Sequence, residues 1–344
     1  MIEYIEIKNF KSIENLKIPG LKRVNLISGR NNTGKSSVLE ALVLYGYEWS
    51  PKGLLKVLGN RRRVPYSELQ LYDIRSLFNR TNTSDFIEIG FENNVCTIYS
   101  TVFDSKNRNS SKIKEDIEKY RYSRGYEIHY SSEIEKAKKQ FPIESIDDAV
   151  KYIEANAEEA DKIRWIAFCE NNEEYLSALY DKITLTDLEN SVVEGLQIIE
   201  PDIERLAFVS GKTGEGRHAV VKMKGNGIYP LSEMGDGINR ILHIILSLVN
   251  AENGFLLIDE IENGLHYSAL EQLWKVIFVL SEKLNVQVFA TTHSVDCIQS
   301  FALHPDEENK NYFRLDKVDG EITVEDYSSE ELKIAVQNDI ETRA

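Results

Sequence analysis

The chain has 344 residues, 42% of them hydrophobic, with 41 Lys and Arg against 56 Asp and Glu for a formal net charge of −15. That length and apolar content suffice for the core of one large or two ordinary domains. The acidity excludes a general nucleic-acid-coating role, because the molecule as a whole repels polyanions and any such contact needs a local basic patch.

The first residues, MIEYIEIKNFKSI, alternate apolar and polar side chains and predict a strand over 2–8 instead of a signal peptide. The longest apolar run, 241–249, is interrupted by His243 and Ser247 and falls far short of the roughly 20 residues that cross a bilayer. Cys96, Cys169 and Cys297 are too widely spaced for a zinc site or a disulfide framework. The expectation is a cytoplasmic protein with reduced cysteines.

A second strand is predicted over 23–28 and a helix over 35–45. Between them GRNNTGKSS, residues 29–37, fits the pattern G-x-x-x-x-G-K-[ST] in the strand-to-helix setting that the pattern requires. In such a loop the backbone of Gly29, Arg30, Asn31, Asn32, Thr33 and Gly34, together with the helix N-terminus at Ser37, faces the phosphates of a nucleotide. Lys35 then reaches the outer phosphates and the Ser36 hydroxyl ligates Mg²⁺.

Further strands are predicted near 86–91 and 95–102. The charged stretch that follows has apolar residues at helical intervals, as at Ile146, Val150, Ile153 and Ala157. It predicts a mainly helical insertion over 104–188, between an N-terminal part, 1–103, and a C-terminal part, 189–344. Two basic runs stand out. Lys52, Lys56, Arg61, Arg62 and Arg63 occur without an acidic residue over 51–63, and seven basic residues meet three acidic ones from Lys106 to Arg124, with Tyr120 and Tyr122 interleaved. These suit either a solvated face or a nucleic-acid backbone with base stacking.

After residue 191, strands are predicted at 205–209, 219–223, 255–258 and 286–290, with helices at 238–249 and 268–284. Alternating strands and helices around glycine loops predict an α/β fold whose sequence the insertion splits. The stretch PLSEMGDGINR, 230–240, is either a glycine-rich helix entry or an anion contact made by Ser232 and the helix N-terminus near Gly237. In GFLLIDEIENGLH an apolar strand ends in Asp259, suited to hold the Mg²⁺ shell through water, and Glu260, suited to orient or deprotonate an attacking water. In VQVFATTHS, His293 is either structural or a contact for a γ-phosphate.

The order of these motifs resembles the ABC-type ATPases of the SMC, Rad50 and RecF group, and within it the AAA15/OLD-like branch, over 1–71 and 191–343. The resemblance implies a P-loop NTPase with an ABC-type head, mixed sheets flanked by helices, ATP and Mg²⁺ as cofactors, Glu260 as catalytic carboxylate and His293 as switch histidine. It implies a phosphate contact for Lys11 in NFKS, and a homodimer in which Ser232 and Gly235 reach the nucleotide of the opposing chain while residues 262–266 meet that chain. LSEMGDG lacks the second glycine and the glutamine of the family's LSGGQ-like signature and carries Glu233 and Asp236 instead. With no long heptad arm, nuclease motif or Toprim domain expected, the resemblance implies a separately encoded effector, a nuclease or toxin, in antiphage defence. A RecF-like, ATP-controlled DNA clamp or loader is the alternative.

Overall fold

The computed structural model describes residues 1–47, 50–62, 65, 68–79, 85–91, 94–104, 122–132, 137–143, 145–155, 163–166, 173–211, 216–225 and 227–338. In chain order its elements are strands β1 (Ile5–Phe10), β2 (Ile13–Ile18) and β3 (Val24–Gly29), helices α1 (Lys35–Gly46) and α2 (Pro51–Arg62), then β4 (Phe86–Phe91), β5 (Asn94–Asp104), β6 (Tyr122–Ser132) and β7 (Ala137–Ile143). There follow α3 (Ile146–Ala155), β8 (Ile163–Ile166), α4 (Glu173–Asp181), α5 (Leu188–Ile199), β9 (Ile203–Ser210), β10 (Arg217–Met223), β11 (Ile228–Pro230) and α6 (Asp236–Val249). The chain continues with β12 (Phe255–Ile258), α7 (Leu270–Lys283), β13 (Gln287–Thr291), α8 (Val295–Leu303), β14 (Lys310–Val318), β15 (Glu321–Tyr327) and α9 (Ser329–Gln337).

The central sheet has the order β15-β14-β3-β13-β12-β8, parallel except for β15 at its edge. Its inner strands are mainly apolar because both faces are covered, and every residue of β3 and β13 is buried, the polar Asn25, Ser28, Gln287 and Thr291 included. Along β12 the side chains alternate. Leu256 and Ile258 enter a core shared with α6, α7 and α8, whereas Leu257 enters a second core with α1, α2 and the N-terminal sheet. That N-terminal sheet, β2-β1-β4-β5-β6-β7, is antiparallel, and a smaller sheet, β11-β10-β9, leads into α6. Helix α6 is apolar well beyond one face, Ile241 to Leu246 and Leu248 to Val249 being buried, because it packs against α5, α7, α4 and β8 at once.

The segment 104–188 departs from the expected helical insertion. Helices α3 and α4 lie within it, but so do β6 and β7, which extend the N-terminal sheet, and β8, which closes one edge of the central one. In β6 the two-residue alternation of buried Tyr126 and Ile128 with half-buried Glu127 and His129 marks a sheet covered on one face. Among the described residues no helix is long and apolar enough to cross a membrane.

The junction between β3 and the loop after it is set by β14. Leu315 runs beside Gly29, whose φ is 141°, and any Cβ on Gly29 would collide with the Leu315 carbonyl oxygen. Gly29→Ala is therefore expected to cost roughly 2–4 kcal/mol of stability, from strain and collision together, as measured by urea unfolding; an unchanged midpoint would contradict the packing of β14 on this loop.

Candidate functional site

The C-terminal ends of β3, β12 and β13 open on one cleft of about 820 Å³, lined by residues that include Lys11, Asn31, Asn32, Gly34, Lys35, Ser36, Ser37, Glu40, Glu260 and His293. The loop from β3 to α1 turns through left-handed backbone at Asn32 (φ 65°) and Gly34 (φ 92°). Thr33 Oγ1 donates to the Arg30 carbonyl (2.9 Å), and Lys35 folds back so that Nζ donates to the carbonyls of Gly29 (2.8 Å) and Arg30 (2.9 Å). Gly29, Arg30 and Thr33 thus shape the loop, while Asn31, Asn32 and Gly34 to Ser37 face the cleft. No side chain caps α1, which leaves its first N–H groups available to an anion.

Burial pushes the Lys35 ammonium down to about 8, against the pull of Asp259, Glu260 and Glu262. An anion bound beside Lys35 would hold the proton on it. Phosphate or nucleotide affinity should therefore be full below about pH 8 and fall as pH rises through that value, with proton uptake on binding there. Calorimetric titration in two buffers of different ionisation heat measures this uptake, and a flat affinity between about pH 7 and pH 9 would contradict the assignment.

Facing the loop, Asp259 and Glu260 follow directly on β12. Ser36 Oγ donates to Asp259 Oδ2 (3.0 Å), and Thr291 Oγ1, at the end of β13, donates to Asp259 Oδ1 (2.6 Å). The same Thr291 hydroxyl accepts the Glu260 N–H (2.9 Å), supporting Glu260 in a left-handed conformation (φ 50°). Left-handed backbone in a residue with a Cβ is strained, and such strain concentrates at functional sites. Asn263 Nδ2 donates to Glu260 Oε2 (2.5 Å), His293 Nε2 stands 4.0 Å from Glu260 Oε1, and the His293 N–H is accepted by Glu262 Oε1 (2.8 Å). Burial first, and then the Lys35 charge, hold the His293 imidazole below its ordinary value, so it is neutral at pH 7. Thr291 and Asn263 lie inside the stretches VQVFATTHS and GFLLIDEIENGLH, which assign neither a role of its own; that of Thr291 is recognisable only from the register that sets β13 between β3 and β12.

Lys11 also reaches this cleft, from the turn between β1 and β2 where its φ is 55°, but its ammonium pairs with Glu40 on α1, and both side chains are largely buried. Ser232 and Gly235 are exposed and do not line the cleft. They lie in a short 3-10 turn, Leu231–Met234, and at the N-cap of α6, where Gly235 has φ 113°. The start of α6 rests on the loop after Glu260, since a Cβ on Gly237 would sit 3.3 Å from Leu265 Cδ2 and 3.9 Å from the Gly264 carbonyl. Glu233 is exposed, and the Asp236 side chain lies outside the described residues. So do Arg63, residues 105–121 with Lys106 and Tyr120, and the side chains of Arg61, Arg62, Tyr122 and Arg124, which together make up most of the two basic runs.

The chain is similar to known proteins. A Helicobacter pylori (strain ATCC 700392 / 26695) protein named ATP/GTP phosphatase is 29% identical over 348 residues, spanning 87% of each chain. The DNA double-strand break repair Rad50 ATPase of Archaeoglobus fulgidus is 43% identical over 56 residues, which are 16% of this chain and 6% of that one. A solved Smc head, bound to the C-terminal winged-helix domain of ScpA, superposes with a TM-score of 0.51 at 14% identity over 95% of this chain and 97% of the other, a likeness of fold alone. Residues 24–296, from β3 through the phosphate loop to His293, match the family described as "AAA domain, putative AbiEii toxin, Type IV TA system". The chain belongs to that family of AAA-type ATPase domains.

Proposed function

We propose that this protein is a Mg²⁺-dependent ATP hydrolase whose ATP-bound homodimer controls a separately encoded effector, a nuclease or toxin, in antiphage defence, as in the AAA15/OLD-like branch. The observation that carries the hydrolase reading is the convergence of Ser36, Asp259, Thr291 and Glu260 on the head of the phosphate loop. The ATP/GTP phosphatase name of the Helicobacter pylori relative supports it, and the mention of a type IV TA system in the family's description supports a two-component arrangement.

Ser36 Oγ and the Asp259 carboxylate are hard oxygen donors 3.0 Å apart. They suit Mg²⁺, which is typically held by one or two protein oxygens plus phosphates and water. When bound, the cation neutralises charge on the phosphate oxygens. Lys35 places its ammonium against the outer phosphates, and the uncapped start of α1 adds N–H donors. Glu260 accepts a proton from water as the water oxygen bonds to the γ-phosphorus and the bond to the ADP oxygen breaks. His293 donates a hydrogen bond to the departing phosphate. In this reading Ser232 and Gly235 serve the nucleotide of a second chain about a two-fold axis, which their exposure outside this chain's own cleft supports.

Glu260→Gln should leave ATP binding intact, lower turnover about 100-fold or more and accumulate dimer in ATP, whereas Lys35→Ala should lose binding altogether. Turnover assays with size-exclusion chromatography read both, and wild-type hydrolysis by Glu260→Gln would remove its catalytic role. Ser232→Arg should bind ATP as a monomer without hydrolysing it, and mixing it with Lys35→Ala should restore at most one composite site. Normal hydrolysis by Ser232→Arg alone would exclude a two-chain site.

A further inference from the structure

One wall of the phosphate cleft owes nothing to the motif residues. β14 runs parallel to β3 with Leu315 beside Gly29, so the residues after Leu315 continue past the end of β3 to the level of the phosphate loop. Side chains alternate along a strand, and Phe313 and Leu315 pack in the same core as Val38 and Leu39 of α1. Lys317 is next in that row and emerges at the N-terminus of α1, where it lines the cleft with Lys35 and Ser36.

The hairpin that carries Lys317 is held in register. Val318 pairs with Glu321 across a two-residue turn in which Asp319 (φ 52°) and Gly320 (φ 95°) both have the left-handed backbone that such a turn requires. Opposite Lys317 lies Ile322, whose Cδ1 is 3.0 Å from the place a Cβ would take on Gly34. The hairpin therefore touches both ends of the phosphate loop, at Gly29 through the Leu315 carbonyl and at Gly34 through Ile322.

The lysines of the cleft differ in their engagement. Lys35 donates to two carbonyls and Lys11 pairs with Glu40, whereas the Lys317 side chain is exposed and makes no ion pair or hydrogen bond among the described residues. β14 flanks β3 on the side away from β13 and β12, whose ends lead to His293 and Glu260. Lys317 thus faces the groups assigned to the terminal phosphate from across the loop.

We propose that Lys317 is a nucleotide-binding residue whose ammonium contacts the phosphates nearer the nucleoside, those common to ATP and ADP. The assignment rests on the reading of this cleft as a nucleotide site. A lysine is a point charge on a flexible stem and needs placement more than fixed geometry, which a rigid hairpin tip provides.

Dissociation constants for ATP and ADP, measured at low salt on wild type, Lys317→Ala, Lys317→Arg and Lys35→Ala, test it. Lys317→Ala should weaken ATP and ADP by the same factor, about five- to tenfold, Lys317→Arg should stay within about twofold of wild type, and added salt should narrow the gap. A loss confined to ATP would move the cation to the terminal phosphate and overturn the assignment. Unchanged affinities in Lys317→Ala, with binding lost in Lys35→Ala, would overturn the role of Lys317 and leave the cleft a nucleotide site. Unchanged affinities in both variants would overturn the nucleotide reading itself.

Discussion

The Thr291 hydroxyl is the joint on which the site turns. Adjacent strands lie about 4.8 Å apart, so β3 and β12, with β13 between them, cannot bring their ends together through backbone contact. Thr291 spans that gap from the middle strand, donating to Asp259 while accepting the Glu260 N–H. Asp259 in turn accepts from Ser36 at the start of α1. One hydroxyl thereby fixes the carboxylate that faces the phosphate loop and the backbone conformation of the carboxylate beyond it. A buried hydroxyl with both roles filled is a costly group to lose, because each partner would be left without its hydrogen bond.

What the sequence makes legible divides along lines of range. The phosphate loop, the acidic end of β12 and the histidine after β13 are contiguous patterns in a strand context, and each contributes to the lining of one cleft. The strand at Phe255–Ile258 is legible to the residue because a fully buried parallel strand is an unbroken apolar run. Charged stretches mislead. β6 and β7 belong to an antiparallel sheet whose pairings cross from β5 over many residues, and their polar sequence resembles that of a solvated helix when taken locally. Lys11 shows another limit, since its partner Glu40 lies 29 residues on and no local pattern announces the pair. The β14–β15 hairpin does carry a readable sign, the Asp319–Gly320 turn between alternating segments, but its place against the phosphate loop is a matter of tertiary register.

The outer surface near α6 and the cleft are close in structure. The loop after Glu260 supports the start of α6 through Gly264 and Leu265, and from the same loop Asn263 holds Glu260 while Glu262 accepts the His293 N–H. Force applied at Ser232 or Gly235 thus meets, within one short loop, the two groups assigned to hydrolysis. The acidic residue Glu233 stands on that exposed turn, where it shifts the charge of whatever surface packs there.

The seat of Gly29 against Leu315 has a further consequence, in the order of assembly. Both neighbours of β3 in the central sheet, β13 and β14, come from residues beyond 286, although β3 itself ends at residue 29. During synthesis the first strand of the site must wait, unpaired and apolar, until most of the chain has left the ribosome. Contacts of such long sequence separation slow folding and leave sticky edges exposed meanwhile. The protein is thus born with its phosphate loop unformed and gains a nucleotide site only as the last strands arrive.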